Sequence, residues 1–265
     1  MVSTHPGPTL VELLDAAPPD PPARWPDVPP APAGAQAPFR ARRTPGTGHL
    51  VWSRPLDPGE HPGELWVDHR ARFGRTGLWP VLVDEAFWEA VELEPYEAPL
   101  TVHDTRALLR RLAAADLEDA AGDAGATGEL VGRGPVPEVV ADVRTPAQVV
   151  ASSEQPTTLV LVPARAGWVV PELLGWDGAV NHEVHGAEHT AVLGRWAGLF
   201  GVELFGLTRD VAQLLVTRPP ADAPSRLRAA AELYAYCPDV VDQGVETLEA
   251  LTQMTGSREW WLWWD

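Results

Sequence analysis

Residues 187–220 read AEHTAVLGRWAGLFGVELFGLTRDVAQLLVTRPP, and this stretch decides the fold class. Val192, Leu193, Trp196 and Phe200 recur at helical spacing, with His189 at the edge of that stripe. Gly201 stands where helices commonly end. VELFGLT (202–208) and VAQLLVTRPP (211–220) then read as two strands joined by a short turn around Arg209 and Asp210. A helix feeding a strand pair predicts an α+β fold. Upstream, TTLVLVPA (157–164) reads as a short buried strand, and WVVPELLGW leads from it into the helix. Downstream, Asp222 and Ser225 begin a second helix through Tyr236, which Pro238 stops. Asp239 or Asp242 caps a third helix around VETLEALTQM (245–254), and EWWLWWD forms a closing strand. The order β-α-β-β-α-α-β resembles the ferredoxin-like split βαβ pattern. It predicts a four-stranded sheet with helices on one face over residues 158–265.

The N-terminal half is less regular. TLVELLDAA (9–17) has the length of two helical turns, and residues 18–38 are so rich in proline that extended, polyproline-like chain is predicted. Residues 1–46 therefore form a Pro-rich segment. HLVWSRP (49–55), ELWVDHRARF (64–73) and LWPVLVD (78–84) read as β-like runs between turn signals. DTRALLRRLAAADLEDA (104–120) reads as a helix with Asp104 at its N-cap and Leu108, Leu109, Leu112 and Leu117 near helical spacing. Residues 47–121 thus make a mostly β region with one helix. The Gly- and Pro-rich residues 122–157 form a linker, and 158–265 a C-terminal domain.

Bulk chemistry excludes several classes of function. The formal charge is −17, and the 20 basic residues, all arginine, are scattered. Nucleic acids and anionic membrane surfaces need clustered cations, so neither is an expected partner. A basic protein partner is favoured instead. The one cysteine, Cys237, gives no disulfide framework and no thiolate zinc cluster. No signal peptide or membrane-length apolar run is evident, so a cytoplasmic location is expected. The chain has no lysine, no isoleucine and one asparagine, Asn181. That bias suggests a GC-rich coding sequence, as in actinobacteria, and makes the retained Asn181 a residue to watch.

Four places carry candidate chemistry. In NHEVHGAEH (181–189), His185, Glu188 and His189 spell H-x-x-E-H, the letters of an inverted zinc-peptidase motif. Such a site needs both histidines on one helix face, the glutamate as general base and a third ligand from elsewhere. Against zinc stand Gly186 in the first turn, the nearness of His189 to the apolar stripe, and the lack of an evident third ligand. A helix start with Glu188 favouring the dipole is the other reading. GWDGAVN groups Trp176, Asp177 and Asn181, either as an amide beside an indole for a ligand or as a self-shaped Asx-turn loop. Cys237-Pro238-Asp239 offers a thiol with no histidine nearby in sequence, and reads as a buried small residue followed by a helix stop and cap. In EWWLWWD, alternation turns Trp260 and Trp264 one way and Trp261 and Trp263 the other. The second pair is either covered by the N-terminal region, with Trp66 and Trp79, or an interface anchor.

The ordered series GWDGAVN, RWAGLFGVEL, VTRPP, AELYAYCPDVVDQG and WWLWWD resembles domain of unknown function family forty-two fifty-three, common in actinobacteria. The resemblance covers roughly residues 158–265. TGLWPVLVD (76–84) also looks like a segment that often precedes this domain. It implies no activity, but it marks Trp176, Asn181, Trp196, Pro219, Pro220, Cys237, Pro238, Asp239, Gln243, the final aromatics and Asp265 as signature positions. Two functions follow as expectations. The first is a non-enzymatic protein-binding domain using Trp176, Asp177, Asn181, Trp261, Trp263 and Asp265, with an immunity- or antitoxin-like role as one form. The second is a zinc-dependent hydrolase centred on His185, Glu188 and His189.

Overall fold

Pro62 in the first turn and Gly77 at φ +64° bracket a helix that the apolar letters of ELWVDHRARF do not announce. The computed structural model describes residues 8–22, 27, 38–91, 104–122, 141–152 and 156–265, with side chains of the 105–122 helix through residue 114. There, helix α2 (Pro62–Thr76) replaces the strand expected over 64–73. Trp66 and Phe73, seven residues apart, share one helix face and are buried. Asp68 and Arg72 pair at 2.6 Å on the exposed face. Four-residue spacing of charges and seven-residue spacing of aromatics win over local alternation.

The other helices are α1 (Leu10–Asp15), α3 (Thr105–Gly122), α4 (Pro146–Ala151), α5 (Val170–Leu174), α6 (Gly186–Phe200), α7 (Ala223–Tyr236) and α8 (Leu248–Thr255). Asp104 Oδ1 accepts from the backbone of Arg106 and Ala107, as an N-cap should. Asp222 caps α7 through Ser225 N, and Gly201 ends α6 at φ +64°. The cap of α8 is Thr247, not Asp239 or Asp242. Those two acids lie at a π-helical turn, Val240–Val245, that separates Pro238 from α8. Helix α4 falls within the stretch read as a linker, of which residues 123–140 and 153–155 lie outside the description. So do the Leu117 side chain and most of residues 23–37.

Seven strands form one sheet among the described residues: β1 (Arg40–Arg43), β2 (Leu50–Pro55), β3 (Leu78–Val83), β4 (Thr158–Pro163), β5 (Val202–Leu207), β6 (Val211–Val216) and β7 (Glu259–Trp263). Their order is β1-β2-β4-β3-β5-β6-β7. Every neighbour pair is antiparallel except β3 with β5. This departs from the ferredoxin-like arrangement expected for 158–265. The element order is kept, but β3 separates β4 from β5 and β7 pairs with β6. All six residues of β3 are buried, and a strand apolar on both faces belongs inside a sheet rather than at its edge. A split βαβ unit does exist, formed by other elements. Because β4 is antiparallel to both β2 and β3, those two run parallel, α2 connects them, and β4 fills the slot. Strands from before residue 122 and after residue 157 therefore alternate in one sheet.

The helices cover both faces, not one. Trp260 of β7 meets Trp196 of α6 edge-on at 5.4 Å. Its neighbour Glu259, turned the other way, accepts from Ser152 beside α4 and from Arg144. Helix α4 in turn lies on α2 so closely that a Cβ on Gly63 would stand 2.0 Å from the Ala147 carbonyl oxygen. The face carrying Trp196 also buries an ionic knot. Arg195, wholly buried, pairs with Glu232 at 2.8 Å and reaches Asp20 at 2.7 Å and the Pro18 carbonyl. Trp196 Nε1 donates to the same Glu232. The described residues 18–22 thus run as non-helical chain over α6, with Pro21 against Gly198.

Candidate functional site

Asp239 is the hub toward which the marked positions Asn181, Gln243 and Asp265 converge, whereas Trp196 is bonded to Glu232. Its carboxylate, almost fully buried at the start of the π turn, accepts three hydrogen bonds. His182 Nε2 and the Asp265 main-chain N–H both donate to Oδ2 at 2.8 Å, and Gln243 Nε2 donates to Oδ1 at 3.1 Å. Asn181 Nδ2 donates to the Asp265 main-chain oxygen at 3.0 Å. The Cys237 thiol donates to Trp263 O at 2.9 Å, and Trp264 N–H donates to Asp210 O at 3.0 Å. Residues 263–265 are therefore gripped from four sides by Asn181, Asp210, Cys237 and Asp239. Two acidic residues hold left-handed backbone beside this cluster, Glu183 at φ +54° and Glu246 at φ +66°. Each closes one of the short turns that carry His182 and Gln243. Non-glycine residues hold such angles only when their surroundings impose them, and such strain gathers at functional sites. Glu183, Asp242, Glu246 and Asp265 are all exposed, so the rim is acidic.

Beneath the hub lies an aromatic floor. Trp176 is buried and donates its indole N–H to Thr208 O at 2.8 Å, instead of offering a ring face to solvent. Trp264 stands edge-on to Trp176 at 5.7 Å and to Tyr236 at 5.3 Å, and donates to Tyr236 O. Gly178 is required here, since a Cβ would lie 2.2 Å from the Trp176 ring. His189, expected at the core edge, is fully buried between Trp176 and Tyr236. Its Nδ1 pairs with the Tyr236 hydroxyl at 2.5 Å. Desolvation, with a smaller repulsion from His185, pushes its pKa down to about 3, so the ring is neutral at pH 7.

The H-x-x-E-H residues go separate ways. His185 is the N-cap of α6, and its Nδ1 lies 3.5 Å from Asp177. Glu188 folds back to accept from His185 N at 3.0 Å, closing the cap, and also pairs with Arg111. Both oxygens of that carboxylate are thus engaged, one in the cap and one by Arg111. Among the described residues no group of three or more His, Cys, Asp or Glu is placed to hold a metal ion. Burial pushes the Cys237 thiol well above its ordinary pKa, so it stays protonated and is a poor nucleophile.

Trp261 and Trp263 remain. They project from the face of β7 opposite Trp260 and stack at 6.4 Å with their rings 27° apart. Both are half-buried, and β7 is the sheet's edge strand. On that face Glu259 of β7 is bonded by Ser152 at the end of α4, which packs on α2. Sequence reasoning missed His182 and Tyr236. The first stood in the same nine residues as Asn181. The second reaches His189 only through the fold.

Residues 158–265 match the family described as Domain of unknown function (DUF4253). No curated protein and no solved structure matches the chain. The matched span holds Asp239, its donors and β7. Its first strand, β4, pairs on both edges with strands that lie outside it. Among the described residues no helix is long and apolar enough to cross a membrane.

Proposed function

We propose that the chain is a non-enzymatic protein-binding domain, and that it presents the outer face of β7 and the acidic rim beside Asp265 to a basic partner. The stacked, half-exposed pair Trp261 and Trp263 carries this reading. Large aromatic side chains on an edge strand are the usual anchors of protein interfaces, and a surface that keeps two of them in contact with water gains by covering them. The charge of −17, with Glu183, Asp242, Glu246 and Asp265 exposed, favours a cationic partner and speeds its approach. Three groups that could support catalysis are already engaged in holding the fold. Cys237 holds Trp263, Asp239 holds three donors, and Glu188 closes a cap. An immunity- or antitoxin-like role is one form such binding would take.

The test is capture from an extract of the source cells by the purified chain and by the W261A/W263A variant. The variant leaves Trp260, Leu262 and Trp264 in the core and should keep the wild-type circular dichroism spectrum. A protein retained by the wild type, released by salt and lost with the variant is the expected result. Equal recovery by both chains, or none by either, overturns the reading.

A further inference from the structure

At the opposite end of the sheet the one parallel strand pair comes apart. Strands β3 and β5 are bonded only through Leu82–Gly206 and Val83–Leu207. Toward their starts the gap is wedged by the indole of Trp79, whose N–H donates to Leu204 O at 2.9 Å. Beside that wedge, between the end of α2, the turn at 166–168 and the start of β5, lies a cavity of about 310 Å³. Phe73, Trp79 and Trp168 give it aromatic walls, and Arg70, Glu203 and Asp27 supply charge. The Arg70 guanidinium lies 4.4 Å from the Trp79 ring centroid and grips Glu203 with two bonds, of 2.5 and 3.2 Å. Their side chains remain 31% and 22% exposed, so the pair lines the cavity without being sealed in the core.

We propose that this cavity binds a small zwitterion of the α-amino-acid class with an apolar side chain. A carboxylate facing Arg70 and an ammonium facing Glu203 replace each partner's opposite charge by one from the ligand. A simple amine would leave Arg70 with only the exposed Asp27 as counter-charge, and a simple acid would leave Glu203 with none. The apolar part of the ligand lies against the aromatic walls, and the volume suits a molecule of that size. This site is separate from β7 and does not depend on the protein-binding reading.

Isothermal titration of the full chain with L-leucine, L-phenylalanine, phenethylamine and 3-phenylpropionate tests it. At least one amino acid binds, and the amine and the acid bind at least about tenfold more weakly, the loss of one charge-assisted contact. R70M and E203Q weaken amino-acid binding by a similar factor. G74L keeps both charges but adds bulk at a helical position on the cavity wall where a Cβ meets no neighbour. It abolishes binding while the melting temperature is kept. Absence of heat with both amino acids at millimolar concentration overturns the proposal. So does equal binding of amine, acid and amino acid, or unchanged binding by G74L.

Discussion

Replacing Asp239 separates a hub that holds the last residues in place from an acid that merely sits nearby. In D239A three donors lose their acceptor: His182 Nε2, Gln243 Nε2 and the Asp265 N–H. Gln243 is exposed and His182 is 24% exposed, so water substitutes for much of what they lose. The Asp265 N–H and the void left by a side chain only 8% exposed are less easily repaired. Summing about 1 kcal/mol for the wetter bonds and about 1–2 kcal/mol for the rest gives a loss of roughly 2–3 kcal/mol. For a chain of this size that is a drop of roughly 5–10 °C in Tm. D239N behaves differently. One amide oxygen serves His182 and Asp265 N–H, while the amide NH2 meets the oxygen of a Gln243 side chain that turns over in solvent. Only the charge is lost, at about 1 kcal/mol. Urea and thermal unfolding of the three proteins, with amide exchange at Asp265, measure the difference. D239A within about 0.5 kcal/mol of wild type, or D239N as damaging as D239A, refutes the reasoning.

Three other outcomes follow from the packing. His189 has a folded pKa lowered from 6.5 to about 3, so the unfolded chain binds the extra proton first. Stability is therefore lost as pH falls from about 6.5 toward 3, at about 1.4 kcal/mol per pH unit from this group. Burial lowers His69 in the same direction. H189Q flattens that slope between pH 6.5 and 4.5 in acid-unfolding series; an unchanged slope argues against the buried neutral ring. Cys237, buried and held at Trp263 O, reacts with a thiol reagent only in denaturant, where one thiol per chain appears. Rapid native labelling contradicts its placement. G63A drives a Cβ into the Ala147 carbonyl and costs at least about 2 kcal/mol by chemical denaturation. A neutral result would mean that α2 and α4 do not touch.

The strands β4 to β7 and helices α6 to α8 were legible because each carries its own period and its own punctuation. Gly201 ends α6, Asp222 starts α7, and EWWLWWD alternates. Helix α2 is hidden by the letters Leu65, Trp66 and Val67 in a row, which look like a strand. Pro62 and Gly77 marked its true ends, and the seven-residue step from Trp66 to Phe73 marked its face. Strand order lay beyond such local signals. That β4 enters between β2 and β3 depends on pairing across more than 70 residues, and nothing in TLVLVP names its neighbours. The site was half visible. Asn181, Cys237, Asp239, Gln243 and Asp265 were marked, but their common purpose, the grip on residues 263–265, is a contact between distant segments. A stripe of aliphatic and aromatic residues alone leaves His189 at the core edge, whereas the fold buries it. Its hydroxyl partner, Tyr236, lies 47 residues away.

Oxidative footprinting of the tryptophans, in the free chain and bound to the captured partner, tests the proposed interface most directly. Trp261 and Trp263 are half-exposed, whereas Trp260 and Trp264 are buried. The account predicts that Trp261 and Trp263 oxidise in the free protein and are protected in the complex, with Trp260 and Trp264 resistant in both. Unchanged oxidation of Trp261 and Trp263 on binding, with protection elsewhere on the chain, would contradict it.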